Sequence, residues 1–285
     1  MIERSIDLAA NPDIVFHIFG EREDPRMMPF AAVRGNDLIA ITLPETDWRE
    51  FDTKYLKPGV VYPVFRDGLA TGTAAVKRGM WTGEPLYTLP QCKSLTPMAS
   101  VTVADSSKAF VVEAFATTRA ARPARPRGTS LSPDSVRAIG NRLARQVAKT
   151  VDLEGEALDS LDFRVLAIVT GARAKPTIVA SFVDPRGGDV QPGRGNTANV
   201  LVLADDDGTG YKVSFSHAVN ADASRAEFRT YLDHLDMTGE GVDEILVEGW
   251  HYGEETSLHV LAWRNGTWHD VFTGRSSWCL DEKKK

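Results

Sequence analysis

Oxygen-bearing residues alternate along one short segment of the sequence, from position 236 to position 244. Four of them contribute side chains and one contributes its carbonyl group, while two intervening glycines allow the backbone to curl. Calcium takes about six to eight hard oxygen ligands in a flexible geometry. The segment therefore predicts a calcium-binding loop, and its structural alternative is a turn whose polar groups bond each other and water. The five expected ligands are Asp236, Thr238, Glu240, Val242 and Glu244.

The strands that must position this loop belong to a pattern that occurs twice in the C-terminal half. A Thr-Gly pair, a short gap and an apolar strand occur at Thr170 and again at Thr238. Each copy then continues into a hairpin turn, Asp207-Gly208 in the first and Asn265-Gly266 in the second, and such pairs favour tight turns. Each copy holds about four strands, the content of one β-propeller blade. Two blade-like repeats in antiparallel sheets are expected, packed face to face or joined in an extended sheet.

The segment from about 228 to 272 resembles the FG-GAP/VCBS-type repeat, whose calcium loop alternates acidic residues before an apolar strand. In this resemblance Asp236 matches the first ligand and Glu244 the last. Thr238 stands where the family carries an acidic or amide ligand, so the loop is a degenerate one. The resemblance implies a propeller-blade-like fold, calcium as a cofactor, and a bacterial, extracytoplasmic protein.

Two classes of function remain open at this point. The first is a non-enzymatic interaction or structural module, which binds another protein or serves as an accessory subunit of a larger assembly. The alternative is a glycan- or polymer-acting enzyme that uses the acidic loop and nearby residues such as His234 and Trp250. The sequence has no phosphate loop, nucleophile elbow or zinc-protease motif. No catalytic or cofactor-binding residue is therefore assigned.

The N-terminal part of the sequence predicts a different domain. Residues 1–116 contain short strands separated by turns, among them Asp67-Gly68, and predict a small-barrel-like domain with a loose similarity to SH3-type barrels. Residues 117–131 are rich in Arg and Pro and predict a linker. Ser132 and Pro133 then begin one amphipathic helix, so that residues 132–285 comprise this helix and the two repeats. The expected fold class is mainly β.

The composition excludes some classes of binding partner but does not decide in which cellular compartment the protein works. The chain has 285 residues and a net charge of -6, which argues against nucleic acid. No apolar stretch reaches the length of a membrane span. The two cysteines, Cys92 and Cys279, form either one long-range disulfide or two free thiols. The absence of an apolar leader favours the cytoplasm if Met1 is the native start, whereas the FG-GAP resemblance favours the periplasm or secretion.

Overall fold

The structure is a computed structural model, and it describes residues 4–79, 98–105, 107–119, 130–153, 155–186, 190–252 and 256–275. These residues form three antiparallel sheets and few helices, which confirms the prediction of a mainly β fold. The chain divides into two compact units. The first contains Met1–Ala124, Met237–Glu240 and Ser277–Lys285, and the second contains Arg125–Asp236 and Gly241–Ser276.

The first unit is built around a closed antiparallel barrel. Six strands follow one another in the order β1-β7-β4-β5-β6-β2, and β2 pairs back onto β1, while β3 extends β2. This closure agrees with the small-barrel prediction, and the looser similarity to SH3-type barrels stays a prediction. The elements are β1 (Asp13–Glu21), β2 (Arg26–Arg34), β3 (Asp37–Ile39), α1 (Glu45–Tyr55), β4 (Val61–Arg66), β5 (Leu69–Arg78), β6 (Ala99–Asp105) and β7 (Val111–Thr117).

Helix α1 covers one end of the barrel, and its presence differs from the single helix expected for the whole chain. Trp48, Phe51 and Tyr55 lie on one helical face and belong to the barrel core. The hydroxyl group of Tyr55 donates to the carbonyl oxygen of Pro12 at 3.0 Å, and that of Tyr62 donates to the carbonyl oxygen of Tyr55 at 2.6 Å. The helix is therefore anchored at the end where β1 and β4 begin.

The second unit contains helix α2 and two four-stranded antiparallel sheets. Helix α2 begins where expected, because the Ser132 hydroxyl group accepts from the Ser135 amide at 3.2 Å and Pro133 is the first helical residue. The sheets have the orders β11-β10-β9-β8 and β12-β13-β14-β15. The elements are α2 (Pro133–Ala148), α3 (Glu156–Asp159), β8 (Asp162–Ile168), β9 (Thr177–Val183), β10 (Asn196–Asp206), β11 (Tyr211–Asp222), β12 (Glu227–Leu235), β13 (Glu244–His251), β14 (Ser257–Arg264) and β15 (Thr267–Arg275).

These elements form three layers, with the β8–β11 sheet in the middle. Its outer face carries Ile178, Ala180 and Phe182, which pack against the apolar stripe of α2. Its inner face carries Val179 and Leu201, which pack against apolar residues of the second sheet. The two sheets therefore lie face to face, one of the two arrangements expected. Their descent from one repeat, and with it the FG-GAP/VCBS-type resemblance, stays a prediction.

Several sequence features lie outside the described residues. Cys92 and Cys279 are among them, so the disulfide alternative stays open. Most of the predicted linker, residues 120–129, is also outside. Among the residues that are described, no helix is long and apolar enough to cross a membrane.

Candidate functional site

The residues of the predicted calcium loop fall into both units of the structure. Asp236, Val242 and Glu244 belong to the second unit, where the Asp236 carboxylate accepts from the Gly241 amide at 3.0 Å. The Glu244 side chain is buried at the start of β13. Thr238 and Glu240 belong to the first unit.

One contact within the first unit disfavours a cation at this loop. The Arg119 guanidinium group donates a hydrogen bond to the carbonyl oxygen of Thr238, and a positive charge at that oxygen opposes calcium electrostatically. Over the described ranges, no group of three or more His, Cys, Asp or Glu residues is arranged to hold a metal ion. Calcium binding by the five loop residues stays a prediction, and the fit of the residues to it is poor.

The histidine and tryptophans near the loop have structural contacts. The Tyr231 hydroxyl group and Nδ1 of His234 are 2.7 Å apart, and both residues are buried. Trp250 stacks on Phe228 with ring centroids 5.2 Å apart. Trp268 is buried and its indole nitrogen donates to Asp205 at 2.8 Å. These contacts favour packing roles, and the glycan- or polymer-acting enzyme stays an untested prediction.

A different set of polar residues meets between the two sheets of the second unit. We call this set the inter-sheet cluster. Strands β12, β14 and β15 contribute residues from the inner face of one sheet, and β11 contributes one from the other sheet. Alternate residues of a strand share a face, so polar residues at alternate positions of these strands all point toward the other sheet. The members are His217, Glu227, Arg229, Ser257, His259 and Asp270.

Two carboxylates in the inter-sheet cluster each contact both an arginine and a histidine. The Arg229 guanidinium group lies 3.0 Å from Glu227 and 2.9 Å from Asp270. The His259 ring contacts the same two carboxylates, with Nε2 at 3.1 Å from Glu227 and Nδ1 at 2.9 Å from Asp270. The two carboxylates therefore share the Arg229 guanidinium group and the His259 ring as partners.

The pKa values in the inter-sheet cluster follow from burial and from these contacts. Burial raises the pKa of the Glu227 and Asp270 carboxyls, but hydrogen bonds and charge from Arg229 and His259 outweigh it and leave both pKa values below their usual range. Burial lowers the pKa of His217, and the hydrogen bond from its ring to the Glu227 carbonyl oxygen offsets this only in part. The folded state thus favours charged carboxylates and a neutral His217.

The inter-sheet cluster contains a Ser-His-Asp sequence of contacts, which could indicate nucleophilic catalysis. The Ser257 hydroxyl group lies 3.1 Å from Nε2 of His259, whose Nδ1 faces Asp270. A catalytic histidine must accept the serine proton at Nε2, but here Nε2 also faces Glu227. The Ser257 hydroxyl group in turn contacts the Gly249 carbonyl oxygen at 3.2 Å. The contacts therefore describe a charge clamp that joins strands.

Glycine at position 249 makes room for this clamp. A Cβ atom there would lie 2.8 Å from Nε2 of His259 and 3.0 Å from the Ser257 hydroxyl oxygen. The first distance is shorter than real Cβ contacts and the second is tighter than most, so the His259 ring occupies the space that a side chain would need. In the sequence, the only sign of this cluster is that charged and polar residues occupy strand positions that face inward. The sequence pattern does not show that these residues contact one another.

We expect the stability of the second unit to fall as the pH drops from about 7 to about 5 because of His217. Its pKa is lowered in the folded state, so the unfolded state binds the proton first and gains stability on acidification. Denaturant unfolding at both pH values should show a smaller loss for His217→Gln than for the unmodified protein. The exposed His269→Gln is the matched control and should keep the original loss. An unchanged loss in His217→Gln would contradict the assignment.

The first unit has a second candidate site at the end of the barrel that lies away from α1. Strand ends from β1, β4 and β6 are joined there by Asp105, whose buried carboxylate lies 2.8 Å from Arg22 and 3.4 Å from Arg66. The Arg22 side chain also donates to the Ala109 carbonyl oxygen at 2.7 Å. These ion pairs hold the loop before β7 against the barrel.

Large apolar side chains are exposed beside these ion pairs, and we call them the barrel-end patch. Phe110 is 66% exposed, Val111 is 55% exposed and Leu69 is 43% exposed. Val111 pairs with Glu21 at the end of β1, and Leu69 pairs with Arg66 at the end of β4. The register thus places all three residues at the same end of the barrel.

Comparisons with known proteins do not assign this chain to a functional class, so its function is argued from its structure. No protein-family profile, curated protein or solved structure matches it.

Proposed function

We propose that this protein is a non-enzymatic interaction module that binds another protein through the barrel-end patch. The observation that carries the proposal is the exposure of Leu69, Phe110 and Val111 at one end of the barrel. Single exposed apolar residues are common on protein surfaces, but several at one place favour a binding surface. An aromatic residue such as Phe110 is typical of the centre of such a surface.

The surroundings of the patch support a preformed binding surface. Arg22 and Arg66 both contact the buried Asp105 carboxylate, and this ties three strand ends together. The amide of Arg22 also donates to the carbonyl oxygen of Phe110 at 2.8 Å, which holds the backbone of the patch. A surface that is ordered before binding loses less conformational entropy when the partner binds. The ion pairs therefore favour affinity without contacting the partner.

The polar clusters of the chain are consistent with a non-enzymatic role. In the inter-sheet cluster, Arg229 and His259 both contact Glu227 and Asp270, so these groups are engaged with one another. An enzyme needs acids, bases or nucleophiles that face a substrate. Charges that are engaged with one another serve the cohesion of the two sheets instead.

Site-specific photo-crosslinking tests the proposal. We expect Phe110→p-benzoylphenylalanine to give one discrete covalent adduct with a protein of the cells that produce this chain. Val61→p-benzoylphenylalanine is the matched control, because Val61 is 54% exposed but lies at the α1 end of the barrel. Adding Leu69→Ser should weaken the Phe110 adduct by about tenfold, the effect of losing one central contact. Identical adducts at positions 61 and 110, or none at 110, would exclude the patch.

A further inference from the structure

We infer that the edge strand β8 pairs with β8 of a second copy of this chain and thereby forms a symmetric dimer. The two strands run antiparallel, and Phe163 faces Phe163 of the partner subunit across the two-fold axis. The pairing joins the β8–β11 sheets of the two copies into one continuous sheet. This interface belongs to the second unit, so the inference is independent of the barrel-end patch in the first unit.

Strand β8 is an edge whose hydrogen-bonding side is open. It pairs with β9 alone among the strands that the structure describes. At the opposite edge of the sheet, carbonyl oxygens of β11 already accept from other elements, Ser214 from the Thr267 hydroxyl group and Tyr211 from Arg142. An unpaired edge strand offers its backbone N–H and C=O groups to another strand. The β8 edge is therefore the better place for this sheet to add a strand.

The alternation of backbone hydrogen bonds shows which residues of β8 face the open side. Directly after β9, the Asp184 amide donates to the Ala198 carbonyl oxygen at 2.9 Å, and this pair continues the β9–β10 register. Hydrogen-bonded and non-hydrogen-bonded pairs alternate in antiparallel sheets. Even-numbered residues of β9 therefore bond toward β10 and odd-numbered ones toward β8. Because Asp162 pairs with Val183, the odd-numbered residues of β8 direct their backbone groups outward. These residues are Phe163, Val165 and Ala167.

A two-fold axis at Phe163 brings these outward groups into register. The two copies of Phe163 form a hydrogen-bonded pair and exchange both N–H···O=C bonds. The Val165 amide then donates to the carbonyl oxygen of Leu161 of the partner subunit. The Leu161 amide is not needed for this pairing, since it already donates to Leu158 within its own chain. The residues beside Phe163 form non-hydrogen-bonded pairs, in which side chains approach most closely.

The charges that flank Phe163 are complementary to themselves in this register. Asp162 lies directly opposite Arg164 of the partner subunit, and the symmetry creates this pair twice. Both side chains are exposed, and Arg164 is held with its guanidinium carbon 5.7 Å from the centre of the Tyr231 ring. Opposite charges across a strand pair stabilise it and like charges destabilise it. An axis moved by one residue would place Asp162 or Arg164 opposite itself, so the charges favour the axis at Phe163.

Phe163 supplies the apolar contact of the interface. Its side chain is 55% exposed although it stacks on Phe182 with ring centroids 5.7 Å apart. Opposite residues of paired strands project from the same face of the sheet, so the two Phe163 rings meet across the axis. They extend the stacking with Phe182 into a row that crosses the interface. Aromatic pairs of this kind add to the stability of a strand pair.

A second copy fits this edge better than a strand of an unrelated protein. A matching strand must place a basic residue opposite Asp162, an acidic residue opposite Arg164 and an apolar residue between them. Strand β8 read in the opposite direction has this order. The net charge of -6 on each copy acts against association at a distance, but salt screens such repulsion, whereas the two ion pairs act at contact.

Sedimentation equilibrium of the full chain at rising concentration tests the inference. We expect the average mass to rise from that of one chain to that of two, with a dissociation constant on the order of micromolar. Asp162→Arg and Arg164→Asp should each weaken the dimer by at least about tenfold, because each variant places like charges opposite one another twice. An equimolar mixture of the two variants should restore the dimer, because one copy then presents two arginines and the other two aspartates.

Two controls locate the effect. Arg142→Asp makes the same charge change as Arg164→Asp, but Arg142 contacts Tyr211 at the opposite edge of the sheet, so its dimer should stay within about twofold of the original. Leu69→Ser alters the barrel-end patch and should also leave the dimer unchanged.

Three results would overturn the inference. The first is a chain that remains monomeric up to about 1 mM. The second is a dimer that Arg142→Asp or Leu69→Ser weakens as much as Arg164→Asp does, since self-association would then occur at another surface or follow net charge. The third is a mixture of Asp162→Arg and Arg164→Asp that stays monomeric. Loss of the dimer in the β8 variants leaves the photo-crosslink at Phe110 intact if the barrel-end patch binds a different protein.

Discussion

Arg229→Met is expected to destabilise the protein by about 1–3 kcal/mol, the effect of leaving two partly buried carboxylates without a charged hydrogen-bond partner. Arg229 contacts Glu227 at 3.0 Å and Asp270 at 2.9 Å, and its side chain is only 14% exposed. Without it, the Glu227 and Asp270 carboxylates lose the one guanidinium group that contacts both of them. Methionine keeps most of the apolar volume of the arginine stem, so packing changes little. Urea unfolding of the purified protein measures the difference in unfolding free energy.

Two further variants separate charge from packing. Arg145→Met removes an arginine from an exposed ion pair with Asp159, in which the two side chains are 48% and 57% exposed. Its expected effect is below about 1 kcal/mol. Combining Arg229→Met with Asp270→Asn should restore part of the lost stability, since only one carboxylate then remains unbalanced. A loss in Arg229→Met no larger than that in Arg145→Met would contradict the charge-clamp description.

The hairpin turns illustrate how much of the fold the sequence could predict. Asp67-Gly68 and Asn265-Gly266 adopt positive φ values of 50° to 87°, as tight turns of this composition do. Ser132 and Pro133 begin α2 because a hydroxyl cap and a proline suit the first turn of a helix. These features depend on neighbours in sequence, so local chemistry is enough to predict them.

Features that depend on tertiary packing were harder to predict. Helix α1 has aromatic core residues at positions 48, 51 and 55, and aromatic residues favour helices only weakly. Strand β2 includes Pro29, which normally argues against a strand. Both elements are stabilised by burial in the barrel core, which contains Met27 and Phe51. Their secondary structure therefore follows from contacts between distant parts of the chain.

The inter-sheet cluster was equally hard to predict from the sequence, because it too depends on tertiary packing. Asp270 is far from Glu227 and Arg229 in sequence, and it approaches them only when β12 and β15 join one sheet. The acidic loop differs from this cluster, because its residues lie close together in sequence. Their spacing alone was enough to suggest a calcium site. In the structure, the Thr238 carbonyl oxygen accepts from Arg119, a partner that spacing could not reveal.

Asp205→Ala is expected to lower the unfolding free energy by about 3 kcal/mol, because it leaves several buried donors without an acceptor. Asp205 is buried at the end of β10 and accepts from Thr177 on β9 at 2.6 Å and from Ser214 on β11 at 2.5 Å. It also accepts from the indole nitrogen of Trp268 on β15 at 2.8 Å. One carboxylate thus joins three strands of the middle sheet to the other sheet.

Asp207→Ala is the matched control for this prediction. Asp207 lies two residues further along the chain, is exposed, and contacts Lys212 and Thr209 at the hairpin tip. Its loss should leave the unfolding midpoint almost unchanged. Asp205→Asn keeps one acceptor oxygen but turns an amide N–H₂ toward donors, so its stability should fall between those of Asp205→Ala and the unmodified protein. If Asp205→Ala and Asp207→Ala unfolded at the same denaturant concentration, the buried hydrogen bonds of Asp205 would contribute nothing to holding the two sheets together.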